Sequence, residues 1–254
     1  MSDSTKFPSL CTPAAISNRL PAILCLHGQG TNGNIFSHQS RALVKSLRDR
    51  FRFIFIDSPF ASWQPGPGVI PTYVDVKPYR RWHYDRAQID TGVSAEAVDV
   101  ERVRVRTLIS HHFEAESEEN GKGIVGIMAF SHGTRVATGL CLDDELGPHI
   151  KIAILISPVF PCVSVGVSTE SPRDEKVRRN LDVRLIQVHG TSDPWAPGGN
   201  RLVRTHFSAS LTRTITFTGG HQVPSAAKDV ATVAREVISA WELVEVSGRE
   251  PKHL

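Results

Sequence analysis

The segment GIVGIMAFSHGTR (123–135) runs an apolar stretch into Ala129-Phe130-Ser131-His132-Gly133 and then into a helical pattern. These five central residues come within one methyl group of G-x-S-x-G, the sharp strand-to-helix turn that lifts a serine hydroxyl clear of a sheet. A serine so placed is a candidate nucleophile, provided a base takes its proton and a carboxylate holds that base in one tautomer. Small residues two before and two after the serine let strand and helix pack closely. Here Ala129 takes the first place, where glycine is usual. A helix beginning after Ser131 also directs backbone N–H groups at the reacting centre, where an oxyanion would develop. A serine that merely caps a helix after a buried strand would leave the same trace, so the segment is informative only with its partners.

Two later segments offer those partners. HGTSDPW (189–195) follows the apolar run VRLIQV, and GGHQVP (219–224) follows TRTITF. Asp193 and His221 therefore each fall in a loop after a strand-like run, and the order along the chain is serine, acid, histidine. Both loops are expected at the carboxyl edge of a sheet, where ligands bind in open α/β folds. Asp57, after FRFIFI, is the rival acid. It precedes the serine, against the usual order, and reads better as a residue that orients loops by hydrogen bonding. With 11 histidines in the chain, a lone one says little. His27, His132 and His189 abut strand ends. His111 and His112 share a helical stretch with no Asp or Cys partner at metal-ligand spacing, so no metal site is expected.

The first apolar run closes on LCLHGQGTN (24–32). Glycines there let backbone N–H groups approach a substrate oxygen without a Cβ in the way. The expected oxyanion donors are the backbone N–H groups of Gln29 and His132. A phosphate cradle is the other use of such a loop, but the G-K-[ST] ending is missing.

These residues need a scaffold, and the apolar runs supply one. AILCL (22–26), FRFIFI (51–56), GIVGIMAF (123–130), KIAILI (151–156), VRLIQV (183–188) and TRTITF (212–217) are nearly continuous in apolar residues. Strands covered by helices on both faces have this character. Helical patterns lie between them at 37–49, at 95–116 with Ser94 as N-cap, at 133–142 and at 225–245. In the last, Val230, Val233, Val237, Trp241 and Val244 recur at helical spacing. Strands alternating with helices predict a doubly wound, mostly parallel sheet with helices on both faces, the α/β-hydrolase fold, as one domain over 1–254.

Two stretches interrupt the alternation. Residues 58–93 are rich in proline and aromatics, and a loop of that length is usually functional or disordered. Its aromatic content argues against disorder. Phe60, Trp63, Val69, Tyr73, Tyr79 and Trp82 are the candidate substrate-binding residues there, with packing of the loop onto the body as the other reading. Residues 159–181 form the second insertion, a lid or a surface loop. Both are expected to shape a pocket.

Composition excludes other classes. The chain has 254 residues, 40% hydrophobic and 22% charged, with a formal net charge of +3. That balance gives no case for nucleic acid. The N-terminal MSDSTKFPSL lacks the apolar core of a signal peptide, and no apolar run is long enough to span a bilayer. Four widely spaced cysteines form no C-x-x-C pair, with Cys25 and Cys141 inside apolar runs. A cytoplasmic protein in a reducing compartment is expected.

Together, LCLHGQGTNGNIF (24–36), DSPF (57–60), PGPGV (65–69), AFSHGTR (129–135), HGTSDPW and GGHQVP resemble the fungal serine hydrolase (FSH) family of α/β hydrolases, and PYRRW (78–82) is similar to its aromatic loop. The resemblance runs from about residue 20 to 245. It departs at Ala129, where glycine is usual, and at His132, where glutamine is common. What the resemblance implies is a cofactor-free esterase or thioesterase with Ser131, Asp193 and His221 as its triad. Many members look like partners of polyketide synthases that release an acyl chain from an acyl-carrier protein. Arg80, Arg81 and Arg86, or Arg102, Arg104 and Arg106, are the candidate cations for such a carrier, solvated faces being the other reading. Two alternatives stay open at this point: a cyclase or condensation catalyst using the same site, and a non-catalytic partner of a synthase.

Overall fold

An apolar strand covered on both faces must send alternate side chains to opposite sides, and the first strand shows this clearly. The computed structural model describes residues 20–84, 92–120, 122–165 and 181–247. Along the chain run β1 (Ala22–Leu26), α1 (Gly33–Leu47), β2 (Arg52–Ile56), β3 (Phe60–Ala61), β4 (Arg80–Arg81) and α2 (Ala95–Asn120). There follow β5 (Ile124–Phe130), α3 (His132–Cys141), β6 (Ile152–Ile156), β7 (Arg184–Gly190), α4 (Ala196–His206), β8 (Thr212–Phe217) and α5 (Ala227–Ser247). In β1, Ala22, Leu24 and Leu26 pack with Val105 and Ile109 of α2, Val136 and Leu140 of α3, and Leu202 of α4. Ile23 and Cys25 face the other way, into a cluster with Phe36, Leu43 and Leu47 of α1 and Val230, Val233, Val237 and Trp241 of α5. Each fully buried Val, Leu, Ile or Phe contributes roughly 1.5–3 kcal/mol, so the two clusters account for the sheet being sandwiched.

The six long strands form one sheet in the order β2-β1-β5-β6-β7-β8, and every neighbouring pair is parallel. All six apolar runs singled out in the sequence are these strands. The helices begin and end where their caps dictate. Asn32 is extended, and its side chain accepts from Ile35 N at 2.8 Å, so α1 starts at Gly33 instead of residue 37. Ser94 Oγ accepts from Ala97 N at 3.2 Å, as expected of an N-cap. Helix α4 has no counterpart in the sequence reading.

Residues 58–84 are built onto the loop after β1. Strands β3 and β4 pair antiparallel, Phe60 with Arg81 and Ala61 with Arg80. Gly30 N donates to Arg80 O at 2.9 Å, and Arg80 N donates to Thr31 O at 2.7 Å. Gly66 N donates to Gly30 O at 2.9 Å. Residues 85–91, including Arg86, and 166–180, most of the second insertion, lie outside the described residues. Among the described residues, no helix is long and apolar enough to cross a membrane.

Candidate active site

The sheet order reverses direction between β1 and β5, since the chain winds from β1 out to β2 and then from β5 out to β8. A crevice opens at the carboxyl ends of the strands at such a reversal. Ser131 follows β5 and the 27–32 loop follows β1, so the two flank it.

Ser131 has φ 50° and ψ −122°, a conformation that L-residues rarely adopt. Its side chain makes no capping bond to α3, so the helix-cap reading of this serine does not hold. The turn is fixed from both sides: Ser131 N donates to Ile156 O at 3.1 Å, and Thr134 Oγ1 donates to Ser131 O at 2.6 Å. Gly133 is required by close approach, because a Cβ there would lie 2.4 Å from Leu26 O and 2.7 Å from His27 O. The methyl of Ala129, by contrast, is fully buried in the core beside Leu26 and Leu155.

The Asp193 and His221 loops meet because glycine lets them. A Cβ at Gly190 would fall 2.3 Å from both Gly219 O and Gly220 O. Thr191 N and Ser192 N donate to Phe217 O and Gly219 O at 2.8 and 2.9 Å. The result is one hydrogen-bonded chain. His221 Nδ1 is 2.9 Å from Asp193 Oδ2 and 3.1 Å from Oδ1, and His221 Nε2 is 2.8 Å from Ser131 Oγ. An ionised carboxylate only accepts, so Nδ1 carries the proton and Nε2 offers its lone pair to the serine hydroxyl. Asp193 is further held by Trp195 N, which donates to Oδ1 at 2.9 Å. The Asp193 side chain is 1% exposed and that of His221 9%, so water competes little for this chain.

Asp57 takes a different part. Its Oδ1 accepts from Gly33 N at 2.8 Å, and its Oδ2 lies 3.1 Å from Arg80 Nε. It ties the start of α1 to β4, which is the loop-orienting role expected of it.

The loop carrying Gln29 is clamped around a neutral histidine. His27 Nε2 accepts from Ser58 N at 3.1 Å, and Nδ1 donates to Gly28 O at 2.8 Å. Burial pushes His27 down to about 4, so the ring stays an uncharged brace. Trp82 Nε1 donates to His27 O at 2.8 Å. Gly28 lies against the nucleophile: a Cβ there would sit 3.4 Å from Ser131 Cβ and 3.0 Å from the Phe130 ring.

The six expected substrate-binding residues divide. Val69 and Trp82 are 0% exposed and have no surface left for an acyl chain. Val69 and Tyr79 pack with Ile35, and Tyr79 Oη donates to Val74 O at 2.9 Å. Phe60 is buried in the main core beneath Arg81, whose guanidinium lies 5.1 Å from its ring centre. Tyr73 is half-buried, its hydroxyl 2.8 Å from His38 Nδ1. Trp63 stands 98% exposed. The acyl-pocket expectation is therefore corrected for Phe60, Val69, Tyr79 and Trp82, which hold the loop to the body. The reason is that proline and glycine turns fold this stretch back on itself, so these four side chains bury inward while Trp63 stays in solvent.

Of the candidate docking cations, Arg80, Arg81, Arg102 and Arg106 are engaged within the chain, whereas Arg104 is exposed and Arg86 lies outside the described residues. Arg81 makes a two-pronged ion pair with Glu101, at 2.7 and 2.6 Å, and Arg80 Nη1 donates to Ser58 O at 3.1 Å. Arg102 pairs with Asp99, and Arg106 with Asp143 and Glu145.

Two residues that the sequence reading did not place in the site stand beside it. The indole of Trp195 meets the His221 ring edge-on, centroids 4.4 Å apart, and is 46% exposed. The His83 ring stacks on His132. Trp195 had a signal, two residues after Asp193 in HGTSDPW; His83 was hidden among the many histidines.

A serine on a strained turn after a central parallel strand, bonded to a histidine backed by a carboxylate, defines a serine hydrolase of the α/β-hydrolase fold. The chain belongs to the FSH1 serine hydrolase family, whose model matches residues 17–233. It is 47% identical over 236 residues to "Thioesterase FSL2" of Gibberella zeae, covering 88% of this chain and 93% of that one. It is 28% identical over 248 residues to "Esterase mlcF" of Penicillium citrinum, covering 93% and 98%. Among solved structures, the fold is similar to a Bacillus cereus carboxylesterase, with a TM-score of 0.56 at 16% identity over 87% of this chain and 89% of the other. A Mesorhizobium loti carboxylesterase gives a TM-score of 0.55 at 15% identity over 85% and 87%.

Proposed function

We propose that Ser131, His221 and Asp193 cleave an acyl thioester or oxygen ester, through an acyl-enzyme that water then hydrolyses. The observation that supports this reading is the unbroken chain of bonds from Asp193 through His221 to Ser131 Oγ. His221 Nε2 takes the hydroxyl proton as Ser131 Oγ attacks the carbonyl carbon. The backbone N–H groups of Gln29 and His132 receive the oxyanion, and Asp193 stabilises the imidazolium. As the intermediate collapses, the bond to sulfur or oxygen breaks, and His221 returns its proton to the departing thiol or alcohol. A water then gives a proton to His221 and attacks the acyl ester, and the serine recovers the proton as the acid departs.

The thioester arm is supported by the relative named a thioesterase. Release of a polyketide acyl chain from a carrier protein is the setting that the family resemblance implies. The test is turnover. The wild-type chain should hydrolyse N-acetylcysteamine acyl thioesters or p-nitrophenyl esters, and Ser131→Ala should lower kcat on the order of 10⁶-fold. Turnover by Ser131→Ala at the wild-type rate would overturn the reading.

A further inference from the structure

A tetrahedral centre on Ser131 has four substituents, and the residues around it direct three of them. One is Ser131 Oγ itself. The oxyanion turns toward the proposed N–H donors of Gln29 and His132, which follow β1 and β5. The departing sulfur or oxygen must reach His221 Nε2, because that atom returns the proton to it. The acyl chain takes the direction that is left. Sheet order separates the two polar directions: β1 lies on one side of β5, while β7 and β8, whose loops carry Asp193 and His221, lie on the other.

Two aromatic rings pack against the His221 imidazole. The Phe130 ring lies 5.2 Å away, centre to centre, but Phe130 is 7% exposed and belongs to the core beneath the site. The Trp195 indole lies 4.4 Å away, at 66° to the imidazole plane, and Trp195 is 46% exposed. Trp195 therefore keeps open apolar surface in contact with the catalytic base. Its place is set by its backbone. Trp195 N donates to Asp193 Oδ1 at 2.9 Å, and Trp195 O accepts from Gly199 N at 3.0 Å in the first turn of α4. The bond that steadies the acid thus does not depend on the indole, which is positioned in advance of any ligand.

We propose that the Trp195 indole binds the leaving-group arm of the substrate, the first atoms beyond the departing sulfur or oxygen. This rests on the Ser131 reading and names the substrate class on the leaving side: a thiol or alcohol that carries an extended arm, in place of a small one such as methanethiol. The departing atom lies within hydrogen-bond reach of His221 Nε2, and the indole touches the same imidazole, so the arm runs past the indole. An arm lying there covers apolar surface that is otherwise wet, which favours its binding. A single methyl on the departing atom covers little of it. Trp195 is in this reading a specificity residue for the leaving group, and the acyl chain is held elsewhere.

The experiment compares two octanoyl thioesters on the full chain, one of N-acetylcysteamine and one of methanethiol. Hydrolysis of the N-acetylcysteamine thioester, lost in Ser131→Ala, first establishes the reading on which the proposal rests. The kcat/KM ratio of the two thioesters is then measured in the wild type and in Trp195→Ala. The intrinsic reactivities of the two thiols are the same for both proteins and cancel in this comparison. The proposal requires the ratio to fall on the order of tenfold in Trp195→Ala. Trp195→Phe, which keeps an aromatic face, should restore most of it. An equal loss on both thioesters would overturn the proposal, since the indole would then only support His221, and so would an unchanged ratio. A larger fall in the ratio of octanoyl to acetyl N-acetylcysteamine thioesters than in the thiol ratio would also overturn it, by placing the indole on the acyl side. Where Trp195→Ala does not fold, Trp195→Gln is read in the same way.

Discussion

Asp193 and Asp57 both follow parallel strands, and their contacts alone separate them. Asp193 is bonded to His221, while Asp57 receives Gly33 N and faces Arg80. Asp193→Asn should therefore present His221 with the wrong partner and lower kcat by about 10⁴-fold with little change in fold. Asp57→Asn keeps an oxygen for Gly33 N and loses a charge at a helix N-terminus, worth about 0.3–1 kcal/mol. Its kcat should stay within an order of magnitude of wild type. Steady-state kinetics of the two variants, with circular dichroism to check the fold, distinguish the assignments; a larger loss from Asp57→Asn would reverse them. Ser131, Asp193 and His221 were legible because each ends or follows an apolar run in the expected order. His83 was not, because its neighbours in space, His132 and Arg135, are far from it in sequence.

At the scale of elements, the 58–84 stretch supports the loop that carries Gln29. A Cβ at Gly66 would fall 1.9 Å from Gln29 O, backbone against backbone. Gly66→Ala must push that peptide aside. The expected result is a kcat loss on the order of 10²–10³-fold, the size of one lost oxyanion donor, with the protein still folded. Kinetics together with a thermal melt check this, and full activity in a folded Gly66→Ala would refute the coupling. The six strands were readable because both sheet faces are covered, which makes each run continuously apolar. Helix α4 was not, because APGGNRLVRTH opens with a proline and two glycines, the usual marks of a loop. Pro197 is tolerated only because it stands in the first turn. Strands β3 and β4, two residues each, are too short to leave any periodicity. The direction in which the loop aromatics turn likewise depends on a tertiary fold that no local pattern records.

For the whole molecule, the buried neutral histidines predict how stability varies with pH. His27 has an ordinary value of 6.5 and is lowered to about 4 in the fold. Above about pH 6.5 it is neutral whether folded or unfolded, and its contribution is fully present. As pH falls from there toward 4, the unfolded chain takes up a proton that the folded one refuses, so stability is lost, by roughly 3 kcal/mol from this group at most. His83 acts in the same direction. Urea unfolding between pH 7 and 4.5 should show this decline, and His27→Gln should flatten it. An unchanged slope in that variant would count against a neutral brace beneath the oxyanion loop.

The central claim is that Ser131 is the nucleophile of this fold. It is tested most directly by reacting the full chain with a fluorophosphonate and mapping the adduct by peptide mass spectrometry. The account predicts a single adduct on the peptide containing Ser131, abolished in Ser131→Ala. An adduct on another serine, or labelling that persists in Ser131→Ala, would contradict it.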